Sequence, residues 1–164
     1  MNTFVHVVAT LLAAVVMIPA AAHALEVPGK RRLDESGYRL VQTIYYPGFT
    51  AVGVLEVPAT VAVVVSAALT YPGSGDFAMR LAASVALIGL VATYWLVVHP
   101  VNREWLRDKP GVSTWGARFF GVAASGAGAP VVDWTALRRR WETGHLARAA
   151  LAVAALTLQV IALA

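Results

Sequence analysis

Four apolar stretches punctuated by polar segments organise the chain: Phe4–Leu25, Thr50–Leu69, Phe77–Val98 and Leu146–Leu163. Each is close to the roughly 20 residues a helix needs to cross the hydrocarbon layer of a bilayer. The pattern predicts an all-α fold, an integral-membrane four-helix bundle formed as one domain over residues 1–164. Arg80 and Arg148 lie close enough to the starts of the third and fourth spans to snorkel toward water. Ala22-His23-Ala24 has the small-x-small form of a signal-peptide cleavage site. However, no Lys or Arg precedes Phe4, and the apolar run is longer than a usual signal core, so a retained helix is expected.

The polar segments predict shorter elements. Asp34 or Ser36 can cap a helix running to about Tyr46, with Leu40, Val41 and Ile44 on one face, ended by Pro47-Gly48. This reads as an interfacial helix in the first long loop. In the second, Gly121 to Pro130 is a small-residue linker, and Asp133 can cap a helix that runs unbroken through the fourth span.

Composition fits this picture. The chain is 59% apolar and 13% charged, where soluble domains average about 25% charged. Its net charge of +4 comes from loop residues and does not point to nucleic acid. Eleven basic residues, from Lys30, Arg31 and Arg32 to Arg138, Arg139 and Arg140, fall in the loops 26–49 and 99–145, against Arg80 alone on the other side. The positive-inside rule places those loops in the cytoplasm and both termini outside, in the cytoplasmic (inner) membrane. The three consecutive arginines read as an anchor to anionic lipid. The absence of cysteine excludes disulfides, thiolate catalysis and Cys-ligated metal.

That topology gathers the polar residues of the spans into one layer. His23 and Glu26 end the first span, and Glu56 lies about 9 Å inside the second at 1.5 Å per residue. His99 and Asn102 close the third, and His145 and Arg148 open the fourth. A carboxylate inside a span faces a partner or a cavity, which makes Glu56 the first candidate for chemistry. Pro58, two residues on, removes a backbone hydrogen bond and bends the helix there. Trp134, Trp141, His145 and Arg148 recur at 7, 4 and 3 residues and form one helical stripe. With Tyr45, Tyr46, Tyr94, Trp95 and Trp115 it can wall a pocket for a flat aromatic ligand. His23, Glu56, His99 and His145 are also a ligand set that zinc, iron or copper would accept, although their spacing matches no metal motif. His6, at the far end of the first span, is expected in a separate environment.

Several of these runs resemble a known family. His23-Ala24-Leu25-Glu26-Val27-Pro28-Gly29-Lys30 and Ile44-Tyr45-Tyr46-Pro47-Gly48-Phe49 are similar to the amino-terminal half of a family of four-helix membrane proteins that includes the anthrone oxygenases of aromatic polyketide biosynthesis. His99-Pro100-Val101-Asn102 and Arg140-Trp141-x-x-x-His145-x-x-Arg148 continue the likeness over nearly the whole chain. The resemblance implies oxidation of an activated aromatic methylene by molecular oxygen, with no flavin, haem or other cofactor expected. His145 or Glu56 would act as base, and Arg148 and Asn102 would stabilise the developing oxyanion. Trp141, His99, His23, Tyr46 and Trp115 would bind the substrate. The partners are then the bilayer and a lipophilic small molecule. Two other readings stand beside it: a non-enzymatic membrane subunit or binder, associating with other subunits or with itself, and a metal-dependent membrane oxidoreductase.

Overall fold

A computed structural model describes residues 2–45, 48–105 and 133–164 of the protein. The described residues are helical, with no strand among them. Helix α1 spans Asn2–Lys30, α2 Glu35–Gln42 and α3 Gly48–Gly53, with a 3₁₀ turn at Thr43–Tyr45 between α2 and α3. Helix α4 spans Glu56–Ala68, α5 Gly75–Thr93, α6 His99–Trp105 and α7 Trp134–Ile161. Four helical stretches are long and apolar enough to cross a membrane: α1, α3 with α4, α5 through α6, and α7.

Local chemistry accounts for the boundaries. Asp34 caps α2, its Oδ1 accepting the Gly37 N–H at 2.8 Å, and Asp133 caps α7 by accepting Thr135 N–H at 2.8 Å. Ser74 caps α5 after a turn in which Gly73 takes φ 93°, a conformation that favours glycine. The break between α3 and α4 falls at Val54–Leu55. Val54 is four residues before Pro58, whose ring clashes with that carbonyl and offers it no N–H. The bend expected near Pro58 is therefore present, on its N-terminal side.

Pro100 has a related effect in the third stretch. It cannot donate to the Leu96 carbonyl, and the helix widens into a π turn over Tyr94–Val98, with His99 N–H bonding Tyr94 O. Arg140 from α7 then donates to Leu96 O at 2.8 Å. One member of the arginine triplet thus repairs a break in a neighbouring helix.

The long helices pack side by side, α1 against α4 and α7, and α5 against α4 and α7. Their contact surfaces are built from small residues, among them Ala9, Ala13, Ala59, Ala83, Ala152 and Ala155. Larger apolar side chains such as Leu11, Ile18, Val61, Ile88 and Val153 point outward. Small residues inside let backbones approach closely, which is how helices associate in lipid.

Gly144 marks the tightest approach. A Cβ there would stand 2.8 Å from Val98 Cγ2 and 3.0 Å from Val97 Cγ1, both in the π turn. Alanine gains about 1 kcal/mol of helix propensity, but overpacking against two stiff β-branched side chains costs about 1–3 kcal/mol. Gly144→Ala is therefore expected to lower thermal stability in detergent. A melting temperature at or above that of the wild type would show that the two helices can part there freely.

Arg80 differs from expectation. Instead of snorkelling it is 3% exposed, held by Ser66 Oγ at 3.1 Å, Gln159 Oε1 at 3.1 Å and the Ala162 carbonyl at 2.7 Å. The carbonyls at the end of α7 provide the partial negative charge that a guanidinium seeks. His6 joins the same cluster, with Nδ1 at 2.7 Å from Ser66 Oγ.

Candidate functional site

The bend after α3 points Glu56 inward at the first turn of α4, where the helix dipole favours a carboxylate. There it meets Arg148 of α7, whose Nη2 donates to Glu56 Oε1, and both side chains are buried. One turn back along α7, His145 Nδ1 lies 3.4 Å from Arg148 Nη1. The His145 ring packs with its centroid 4.1 Å from those of two others, His23 of α1 and Trp141 of α7, tilted by 53° and 51°. Trp141 is held in turn by its indole N–H, which donates to Asn102 Oδ1 at 2.9 Å. The expected stripe on α7 therefore exists, and it faces inward.

These groups surround a cavity of about 60 Å³. Its polar wall includes His23, Glu56, Asn102, His145 and Arg148, and its aromatic wall is Tyr45, Phe49, Tyr94 and Trp141. Of the residues expected to act, His145, Glu56, Arg148, Asn102, Trp141 and His23 converge there. His99 does not line the cavity; it packs against Tyr94 and Trp95, with ring centroids 5.9 and 4.9 Å away. Tyr46 and Trp115 lie outside the described residues. Among the described residues no three His, Asp or Glu side chains are grouped to hold a metal ion. The set His23, Glu56, His99 and His145 is not assembled, because the π turn packs His99 against the rings of Tyr94 and Trp95.

Tyr38, Gln42 and Lys30 join the site beyond the residues that the sequence pointed to. The inward face of α2 is Tyr38 and Gln42, continued by Tyr45, whereas Leu40 and Ile44 are 65% and 69% exposed. The i, i+4, i+7 spacing of Tyr38, Gln42 and Tyr45 was the available signal, masked by the stronger apolar one. Gln42 lines the cavity, and its buried Nε2 has no partner among the described residues. Lys30, counted with the basic loops, is buried with Nζ 3.9 Å from the Trp141 ring centroid and 4.7 and 4.8 Å from those of Tyr45 and Tyr38. That is a cation–π cage.

Below the cavity, the Tyr45 hydroxyl donates to Glu26 Oε2 at 2.5 Å, and His23 Nδ1 lies 3.5 Å from the same oxygen. Tyr38 donates to Glu142 Oε1 at 3.4 Å, and Arg31 pairs with Glu142 at 2.9 Å. Burial first, and then the facing carboxylate, push both tyrosine hydroxyls well above their ordinary pKa. Both therefore remain protonated donors at any working pH. Comparison with family models, curated proteins and solved structures finds no match to this chain.

Proposed function

We propose that the protein is an oxygenase-like enzyme of the anthrone-oxygenase type, built as a membrane four-helix bundle and acting on a lipophilic aromatic substrate. The termini lie outside and the basic loops in the cytoplasm, which puts the cavity near the cytoplasmic face. The outward apolar Leu40 and Ile44 then seat α2 on the bilayer surface.

The observation that carries this reading is one cavity in which two imidazoles, a carboxylate–guanidinium pair and an aromatic wall meet between apolar helices. Removing a proton from an activated methylene leaves an electron-rich enolate that oxygen can oxidise directly. The overall change is balanced: methylene plus O₂ gives carbonyl plus water. Arg148 is the charge nearest to a developing oxyanion, and preorganised donors of this kind supply much of a catalytic effect. Glu56 serves as the counter-ion that holds Arg148 in place, and Asn102 as the clamp on Trp141. At about 10–15 Å³ per water, a cavity of about 60 Å³ admits the reacting edge of a tricyclic substrate. The rest of such a substrate lies in the opening and in lipid.

The test is oxygen consumption by purified protein in detergent with anthrone as substrate. One O₂ consumed per methylene oxidised, with quinone formed and no peroxide released, is the expected result. Uptake no faster than the uncatalysed reaction, from folded protein and across a panel of anthrones and phenols, would leave a binding protein or membrane subunit in its place.

A further inference from the structure

His23 and His145 stand beside each other in the cavity wall, and the charges behind them are opposite. His23 Nδ1 is buried, makes no hydrogen bond among the described residues, and lies 3.5 Å from Glu26 Oε2, a carboxylate that can only accept a proton. His145 Nδ1 faces Arg148 Nη1 at 3.4 Å, a guanidinium that can only donate. In a neutral imidazole one nitrogen carries the proton and the other accepts, and the partner of one nitrogen decides the state of the other. Among the described residues neither Nε2 has a protein partner.

We propose that Glu26 and Arg148 set the two rings in opposite tautomers. His23 then carries its proton on Nδ1 and presents a bare Nε2 to the cavity, while His145 presents an Nε2–H. One wall thus offers an acceptor and a donor side by side, their ring centroids 4.1 Å apart. The ligand matching that pair is an acid, carbon or oxygen, conjugated with a carbonyl: it gives a proton at one atom and gains electron density at another.

On the oxygenase-like reading, from which these roles follow, His23 Nε2 takes the proton from the methylene carbon and the C–H electron pair delocalises onto the carbonyl oxygen. The His145 Nε2–H donates to that oxygen. His23 Nδ1 releases its proton to Glu26, whose side chain is 34% exposed and passes it to water. Molecular oxygen is the oxidant that consumes the enolate. Glu26 acts through His23 and is a positioning residue. This moves the base from His145 to His23, because a ring whose Nδ1 accepts from an arginine has no lone pair left on Nε2.

Nitrogen-15 NMR of histidine-labelled protein in detergent tests the tautomers without substrate, with the signals assigned by His23→Gln and His145→Gln. The expected spectrum has a protonated Nδ1 and bare Nε2 in His23, and the reverse in His145. Glu26→Leu should convert His23 to a mixture of tautomers and leave His145 unchanged. Two rings in the same tautomer, or a doubly protonated ring, would overturn the proposal whatever the activity. The roles are read separately, from hydrogen–deuterium exchange at the anthrone methylene in D₂O without oxygen. Loss of catalysed exchange in His23→Gln supports them. Opposite tautomers with no catalysed exchange by the wild type would keep the assignment and remove the oxygenase reading.

Discussion

Glu56→Gln is expected to cost the folded protein about 3–5 kcal/mol, because it leaves the Arg148 guanidinium buried without its counter-ion. Arg148 lies between helices with His145 Nδ1 3.4 Å from its Nη1, and among the described residues its Nε has no partner. An amide can accept one hydrogen bond from it but cannot balance the charge. Arg148→Gln should be comparably harmful, since it strands the carboxylate. The double variant should be less damaged than the sum of the two, and a double-mutant cycle of thermal or denaturant unfolding in detergent measures the difference. A loss below about 1 kcal/mol for either single variant is the scale of a solvent-exposed pair. It would mean that water entering through the opening of the cavity reaches the pair. The same reasoning makes Glu56→Gln a poor probe of chemistry, since lost activity would follow from lost structure.

On the proposed reading, His145→Gln is expected to reduce turnover of anthrone by roughly 10²–10³-fold, the usual effect of removing a donor to a developing oxyanion. The substitution keeps a polar side chain against Arg148 but removes the ring packed between His23 and Trp141. A lost buried polar contact costs about 1–3 kcal/mol, so melting must be recorded with the rate. Reduced turnover with most of the folded protein retained assigns His145 to the reaction. Wild-type turnover at wild-type melting would remove it from the chemistry and leave it a packing residue.

How far the sequence alone led can be judged from particular residues. The apolar runs announced the long helices, and the caps at Asp34 and Asp133 the starts of α2 and α7, because each signal is local: hydrophobic period, side-chain acceptor and N–H donors lie within a few residues. The inward position of Glu56 followed from its cost in an apolar segment. Pro100 acts as locally as Pro58, but the Leu96 carbonyl it leaves open is filled by Arg140 from another helix, which the sequence does not show. Partner-dependent features were the ones missed. Lys30 reads as a loop cation until three rings from α2, the 3₁₀ turn and α7 close around it. His99 reads as part of the polar layer until the widened turn packs it against Tyr94 and Trp95. Leu40 and Ile44 marked the outward apolar face of α2 and left its inward face, Tyr38 and Gln42, unread.

The alanine-lined middle of the structure has an electrical consequence. It separates the Glu56–Arg148 pair at one end from the cluster of His6, Ser66, Arg80 and Gln159 at the other. The hydroxyls nearest that middle, on Thr10, Thr60, Ser84 and Thr93, each donate to a carbonyl four residues back on their own helix. Spent in this way, they give a migrating proton no stepping stone. On the proposed membrane reading, a transmembrane voltage would fall across this seam of methyl groups, and chemistry in the cavity would exchange protons with the water at its own end while the membrane keeps its charge.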